Sequence, residues 1–164
     1  VSAEDCPADE DKDWSYDLSL PNGPLHWGDK YPNCSGNSQS PVNIITRDTV
    51  SSGERQRLQL HGYDEPIGRV MIMNNGHMIH VTPEDGVERS ITVDGEKYVL
   101  QHFHFHWGNE TDKGSEDVIN GRRHTMEARF IHRNEGKLVT VSGFLKESSS
   151  QIHSVIYNIL SQMD

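Results

Sequence analysis

The chain has 164 residues, which is long enough for one domain with its own hydrophobic core and too short to expect two. Only 33% of the residues are hydrophobic, and no apolar stretch reaches the roughly 18 residues that a membrane-spanning helix needs. The formal net charge is -10, which argues against a nucleic-acid partner because phosphate binding relies on clustered Lys and Arg. The composition predicts a soluble protein whose acidic surface makes its copies repel one another. A less favoured interpretation is an acidic surface that binds mineral cations.

The N-terminal segment contains neither an initiator Met nor a basic and apolar leader. We therefore expect that any signal peptide has been removed or was never included. The acidic charge separately predicts an extracellular, secreted protein. Residues 1–13 are acidic and nearly devoid of apolar groups, which predicts a mobile acidic N-terminal tail. Between Trp14 and Val42, turn residues alternate with aromatics, which predicts irregular chain laid over a core, without helix.

Beyond residue 42, short runs of β-branched and aromatic residues separated by turn signals predict a succession of strands. The runs are 69–73, 77–81, 90–93, 98–107, 125–132 and 138–145. Asp94-Gly95 is a strong hairpin dipeptide between two of them. Near the end, Ser148-Ser149-Ser150 is expected to cap a helix whose apolar face includes Ile152 and Val155. The pattern predicts a mostly β fold with little helix and one sizeable sheet.

The most informative segment is the run Gln-His-Phe-His-Phe-His-Trp at residues 101–107. Side chains alternate along a strand, so His102, His104 and His106 share one face while the phenylalanines share the other. Neighbouring histidines in this run lie roughly 6.6 Å apart, and two of them can lean toward one zinc ion. His102 and His106 are about twice as far apart. The alternative is a strand whose imidazoles face water and whose phenylalanines face the core.

Several motifs elsewhere in the chain occur in the same order as in the alpha-class carbonic anhydrase family, which the sequence closely resembles from about Trp14 to its end. They are Pro24-Leu25-His26-Trp27, Gln39-Ser40-Pro41-Val42-Asn43-Ile44, Asn74-Asn75-Gly76-His77, His-Phe-His-Phe-His-Trp-Gly with Gly114-Ser115-Glu116, and Gly143-Phe144-Leu145-Lys146. The resemblance implies a central, mixed, largely antiparallel twisted sheet with few short helices. It also implies a zinc ion that activates water for the conversion of CO2 to bicarbonate.

The resemblance also assigns roles to individual residues. His104 and His106 match the first two zinc ligands, and Glu116 matches the carboxylate of the hydrogen-bond relay. His77 matches the proton-shuttle histidine, whose ordinary pKa near 6.5 suits proton transfer at neutral pH. Tyr16 matches the tyrosine that orders the water network. The remaining match is His102. At this position many family members have a glutamine that orients the first zinc ligand, and an imidazole can also fill that role.

The sequence departs from the family at the third zinc ligand, where the pattern Glu-x-His reads Glu127-Ala128-Arg129. By the same resemblance, Glu127 fills the position of the carboxylate that orients a ligand histidine. A guanidinium has no available lone pair and stays protonated, so Arg129 is not a zinc ligand. His132 lies three residues along the strand and therefore faces the other side. We expect Arg129 to occupy the vacated space and to pair with Glu127 or Glu116. In lacking one ligand histidine, the chain resembles the carbonic-anhydrase-related members that serve as binding domains.

The chain matches only the N-terminal part of the family's domain, so we interpret residues 14–164 as a carbonic-anhydrase-like domain truncated at its C-terminal end. Asn33 and Asn109 begin N-glycosylation sequons. Cys6 and Cys34 are disulfide candidates that pair with each other, pair with a segment outside the chain, or remain free; the resemblance suggests a family partner for Cys34 in the missing part.

Three functions follow as hypotheses. The favoured one is a secreted member of the family in which zinc binding and catalysis are impaired, with an extracellular protein or matrix as its partner. The second is a functional zinc carbonic anhydrase acting on CO2 and bicarbonate. The third is an acidic mineral-matrix protein, supported by the net charge of -10.

Overall fold

The computed structural model describes residues 14–51, 58–110 and 112–147 of the chain. The predicted acidic tail at 1–13 and the predicted helix after Ser148 lie outside the described residues. Among the described residues, no helix is long and apolar enough to cross a membrane.

The N-terminal part contains short helical turns, so the prediction of irregular chain without helix was wrong in detail. A 3-10 turn at Pro24–His26 leads into the one-turn helix α1 at Trp27–Lys30, and a second 3-10 turn follows at Pro32–Ser35. Each of these 3-10 turns begins at a proline, whose fixed φ suits the first helical position and whose missing N–H is not needed there. A third 3-10 turn spans Thr46–Asp48.

Strands make up most of the described regular structure, which confirms the mostly β prediction. Their bounds are β1 Asn43–Ile44, β2 Gln59–His61, β3 Val70–Asn74, β4 Ile79–Pro83, β5 Ser90–Val93, β6 Glu96–Trp107, β7 Val118–Ile119, β8 Met126–Asn134 and β9 Lys137–Leu145. The predicted runs from residue 69 onward all correspond to strands, with ends that differ by a few residues.

The long strand β6 lies at the centre of a seven-stranded sheet in which every pairing is antiparallel. Along one edge β6 pairs first with β5 and then with β4, and along the other edge it pairs with β8. The strands β2, β3 and β9 pair with β5, β4 and β8, respectively. Parallel pairing occurs among the described residues in a separate ribbon of β1 and β7.

The hairpin between β5 and β6 turns at the predicted dipeptide. Asp94 and Gly95 both have positive φ, at 51° and 80°, as a two-residue turn between right-twisted strands requires. Ile91 and Tyr98 pair across this hairpin and are both buried. The turn therefore fixes the register with which β6 enters the centre of the sheet.

The central strands have one apolar face and one polar face. Ile79, Val81 and Phe103 form the buried cluster on the apolar face, and Phe130 stacks on Phe103 with ring centroids 5.4 Å apart. Because alternate residues project to opposite faces, the polar residues between them project to the other side. Phe103 lies in this buried cluster, as expected if the phenylalanines and the histidines of β6 occupy opposite faces, but His104 on the other face is also buried.

A buried ion pair closes the connection between β4 and β5. Both terminal nitrogens of Arg89 donate to the carboxylate of Asp85 at 2.9 Å, and the side chains are only 2% and 9% exposed. The hydrogen bond from Arg89 and that from the backbone N–H of Gly68 hold the pKa of Asp85 well below its ordinary range. This pair anchors the segment that leads from β4 into β5.

Candidate functional site

The strand register places a row of polar side chains on one face of the sheet. On β6, His104 is paired with Arg129 of β8 on one side and with His80 of β4 on the other. Two residues further along, His106 is paired with Glu127. Directly paired residues of antiparallel strands project from the same face, so these side chains meet above the sheet.

Arg129 is surrounded by three carboxylates. Its Nη1 lies 2.8 Å from Glu116, its Nε donates to Glu127 at 2.8 Å, and its Nη2 lies 3.4 Å from Asp117. The predicted ion pairs with Glu127 and Glu116 are both present, and Asp117 adds a third that the sequence analysis missed. Three carboxylates around one guanidinium leave two negative charges in excess, so the surroundings of Arg129 remain negative.

Glu127 is the fully buried member of this network. One carboxylate oxygen accepts the hydrogen bond from Arg129, and the other accepts backbone N–H groups of Glu116 and Asp117 at 2.9 and 3.0 Å. Burial raises the pKa of Glu127, but these hydrogen bonds and the charge of Arg129 outweigh it and hold the pKa at about 2. Glu127 is therefore ionised at neutral pH and ties residues 114–117, here called the acidic loop, to β8.

The Gly-Ser pair of the acidic loop fixes the position of the carboxylates that follow it. A Cβ at Gly114 would lie 1.8 Å from the carbonyl oxygen of Thr125, so no side chain fits there. The Ser115 hydroxyl is fully buried, donates to the carbonyl of Asp117 at 2.7 Å and accepts the backbone N–H of His124 at 2.8 Å. Removing that hydroxyl would leave both backbone groups short of a partner, at a cost of about 1–3 kcal/mol.

The residues present do not complete the zinc site that the resemblance implies. Zinc there would need lone pairs from His104, His106 and residue 129. Nε2 of His106 is buried without a hydrogen-bond partner, as expected of a ligand atom. Arg129, however, offers only donors and a positive charge, and its guanidinium is engaged by the surrounding carboxylates. The described residues supply two of the three family ligands at this position.

A second group of three histidines includes His104 but not His106 or residue 129. His80, His102 and His104 each offer one ring nitrogen, and these nitrogens all lie within 4.8 Å of one another. The ring of His80 stacks on that of His102 at 4.5 Å between centroids and on that of His104 at 5.5 Å. Of these three histidines, the sequence predicts a metal-ligand role for His104 alone.

The ring of His102 packs against that of His104. Their centroids are 5.6 Å apart, and Nδ1 of His104 is buried without a hydrogen-bond partner among the described residues. Leaving a buried polar atom unsatisfied costs about 1–3 kcal/mol. The predicted role of His102 in orienting the first ligand stays a prediction.

Burial keeps the imidazoles of this face neutral. It lowers the pKa of His104 to about 3, with the charges of neighbouring groups adding to the effect, and that of His102 to about 4. It also lowers the pKa of His80 and of His106, and at His106 the carboxylate of Glu116 opposes the shift. Neutral imidazole is the form that binds metals, so these side chains have lone pairs available at neutral pH.

His77 lies in an aromatic cluster at the start of β4. Its ring stacks on Trp14 with centroids 3.8 Å apart, and Tyr16 approaches edge-on at 6.4 Å. The carboxamide of Asn75 accepts the backbone N–H of His77 at 3.0 Å and so fixes the turn that presents it. Burial lowers the pKa of His77. The structure brings His77 and Tyr16 together, and their predicted roles in proton transfer and water ordering remain predictions.

The remaining sequence candidates lie apart from these clusters. Asn33 and Asn109 are both exposed, and their glycosylation stays a prediction. Cys34 is half-buried and forms no disulfide with another described residue, and Cys6 lies outside the described residues, so their pairing also stays a prediction. His132 faces away from Arg129, as predicted, and is hydrogen-bonded to the hydroxyl of Tyr63.

Two site residues that the sequence analysis missed had weak signals. Asp117 directly follows the Gly-Ser-Glu motif, but only the fold of the loop brings it to Arg129. His80 stands on a predicted strand, but its pairing with His104 depends on the register between β4 and β6. A prediction of that register would have placed His80 beside the histidines of β6.

Comparisons with known proteins agree on one family. The family model described as eukaryotic-type carbonic anhydrase matches residues 22–162. Carbonic anhydrase 1 of Mus musculus is 36% identical over 133 residues, covering 79% of this chain and 49% of that protein. Carbonic anhydrase 7 of Homo sapiens is 37% identical over 130 residues, covering 77% of this chain and 48% of that protein.

A solved structure shows the same fold. The alpha-carbonic anhydrase from Thermovibrio ammonificans, in complex with the inhibitor sulfanilamide, superposes with a TM-score of 0.68 at 31% identity. The match covers 82% of this chain and 56% of that one. The chain spans about half the length of the curated relatives it matches.

Proposed function

Because the chain belongs to the eukaryotic-type carbonic anhydrase family, we propose that it is a member in which zinc-dependent hydration of CO2 is strongly impaired. The bound zinc of the family supplies an activated water that attacks CO2. The proposal rests on Arg129, which stands where the third ligand histidine is expected. The retained residues His104, His106, Glu116 and His77 give the scaffold of that chemistry without its complete metal site.

The observation that carries the proposal is the engagement of the Arg129 guanidinium with Glu116, Glu127 and Asp117. To bind zinc at the family position, the chain would have to move a permanently charged side chain away from three carboxylates. Breaking a buried pair leaves uncompensated charge, which typically costs about 3–5 kcal/mol. The vacated position would still offer only two imidazoles, and zinc sites of the catalytic kind use three protein ligands.

We also propose that the protein is secreted and binds an extracellular protein or matrix instead of turning over CO2. The net charge of -10 and the exposed sequon asparagines Asn33 and Asn109 support this. When expressed in a secretory animal cell, the protein should lose mass on treatment with an N-glycosidase. Asn33→Gln and Asn109→Gln should each remove one glycan, whereas an unmodified secreted product would contradict this part of the proposal.

The catalytic part of the proposal is tested by stopped-flow hydration of CO2 with excess zinc. We expect the wild-type chain to give no rate above a zinc-buffer blank. A rate constant in the usual enzymatic range of 10⁴–10⁸ M⁻¹s⁻¹ would contradict the proposal and favour a functional carbonic anhydrase.

Arg129→His and Arg129→Gln form a matched pair, since both remove the charge and only histidine can bind zinc. We expect Arg129→His to bind zinc at least about 100-fold more tightly than Arg129→Gln, because loss of an outer-shell partner alone costs up to that much. Adding His106→Gln to each identifies the part of the affinity that depends on the family position. Equal affinity in both variants would show that residue 129 is not what limits zinc binding.

A further inference from the structure

The histidines of β4 and β6 form a three-nitrogen cluster that is separate from the family zinc position. His104 belongs to both. His80 lies across from it on β4 and His102 precedes it by two residues on β6, whereas Arg129 lies across from it on β8. We propose that His80, His102 and His104 bind a divalent transition-metal ion of the borderline class, such as Zn²⁺ or Cu²⁺. This goes beyond the impaired activity proposed above, because it adds a binding site one strand away from the residue that blocks the family position.

The spacing of the ring nitrogens suits one ion. In a tetrahedral site with bonds of 2.0–2.1 Å, ligand nitrogens are separated by about 3.3 Å. The three nitrogens here lie within 4.8 Å of one another, so each pair has to close by at most about 1.5 Å. Rotation about the side-chain bonds of three imidazoles covers that difference. The rings are now close to parallel, at 20–30° to one another, and they would turn toward the ion on binding.

The buried polar atoms of the cluster have no other use in the described structure. Nε2 of His80 and Nδ1 of His104 are both buried without a hydrogen-bond partner among the described residues. His104 is itself only 7% exposed, so its unpartnered nitrogen is not satisfied by bulk solvent. A bound metal ion would satisfy ring nitrogens that stacking alone leaves unpaired.

The positive charge of Arg129, next to His104, is offset by the carboxylates that hold its guanidinium. Arg129 carries one positive charge, and the three carboxylates of Glu116, Asp117 and Glu127 exceed it by two negative charges. The ion pairs also hold the guanidinium on the β8 side, away from His80. The partial exposure of His80 and His102 gives an ion a route to the buried His104.

Imidazole nitrogen also selects the class of ion. Three neutral imidazoles suit zinc, copper and nickel, whereas calcium and magnesium prefer oxygen ligands. We therefore expect Zn²⁺ or Co²⁺ to bind in the presence of excess Mg²⁺. The remaining coordination positions would be taken by solvent, since the described residues place three imidazoles and no carboxylate in the cluster.

The test is a titration of the intact, metal-stripped chain with Co²⁺, followed by its visible absorption, and with Zn²⁺, followed by calorimetry. His80→Gln removes a ligand of the proposed site alone, His102→Gln removes a second ligand of that site, and His106→Gln removes a ligand of the family position alone. His61→Gln on the edge strand β2 is the control for surface histidines. Circular dichroism of each variant checks the fold. If His80→Gln does not fold, the result for His102→Gln serves as the test, because many family members carry glutamine at position 102.

We expect one ion per chain, with affinity weakened at least about 100-fold by His80→Gln and by His102→Gln and unchanged in His106→Gln and His61→Gln. Loss of binding in His106→Gln with retention in His80→Gln would overturn the proposal in favour of the family position. Absence of binding to the wild-type chain, or equal binding by all variants, would also overturn it. Binding at the proposed site without hydration of CO2 would leave the impaired-enzyme proposal standing, so the two can fail separately.

Discussion

His104 and Arg129 are directly paired across β6 and β8, so the residue that matches the first zinc ligand of the family faces a permanent positive charge. Two carboxylates compensate that charge, because Glu127 and Glu116 each lie 2.8 Å from the guanidinium. The carboxylates that help to order a zinc site in the family thus serve here to hold an arginine. This relationship underlies both the proposed loss of hydratase activity and the displacement of the candidate metal site toward β4.

The buried carboxylate of Glu127 is predicted to be the main stabilising member of this network. Glu127→Gln removes the charge that pairs with Arg129 and places an amide N–H₂ against donor groups. We expect the free energy of unfolding, measured by urea denaturation, to fall by about 3–5 kcal/mol, the usual cost of breaking a buried ion pair. The matched change is Glu116→Gln, whose side chain is 23% exposed against 0% for Glu127 and which should cost less. A larger effect at Glu116 would contradict the assignment.

The ion pair of Asp85 with Arg89 predicts a defined pH dependence of stability. The pKa of Asp85 is lowered in the folded protein, so its stabilising contribution is fully present above the unfolded pKa of about 3.9 and is lost as the pH falls toward the folded value. Asp85→Asn should therefore be less stable than the wild-type chain between pH 5 and 7, and the difference should shrink below about pH 4. Urea midpoints measured across this range test the prediction.

Asp48→Asn is the control for the Asp85 measurement, because Asp48 is 66% exposed and pairs with the exposed Arg47. It should change the urea midpoint little at any pH, since exposed ion pairs contribute about 0–1 kcal/mol. A difference between Asp85→Asn and wild type that stays constant down to pH 2 would show that the buried pair is not linked to protonation.

The stacking of Trp14 on His77 predicts that the indole controls the basicity of this imidazole. Burial lowers the pKa of His77, and Trp14 covers its ring at 3.8 Å. Trp14→Ala should raise the pKa of His77 toward its ordinary value near 6.5, as measured by NMR titration of the ring protons. Tyr16→Phe keeps the edge-on ring and should leave the pKa nearly unchanged. An unaltered pKa in Trp14→Ala would mean that other groups bury His77.

The fold could be predicted from the sequence largely because its strands are marked by local chemistry. Asp94-Gly95 fixes the turn into β6, and the alternation of phenylalanine and histidine along β6 assigns each residue type to a face. The ion pairs of Arg129 could be predicted because Glu127 lies two residues away on the same face of β8. In each case, the residues that determine the feature are close together in the sequence.

The histidine cluster could not be predicted in the same way, because it depends on pairing between distant segments. His80 reaches His104 through the register of β4 against β6, which no local pattern specifies. The helical turns near Trp27 were missed because a single turn leaves too few residues for a periodic pattern.

The most direct test of the account is a crystal structure of the zinc-soaked chain, with anomalous diffraction recorded at the zinc edge. The account predicts an anomalous peak among His80, His102 and His104 and none within bonding distance of His106, with Arg129 still held by Glu127 and Glu116. A peak bound by His104 and His106, with the guanidinium displaced, would contradict it.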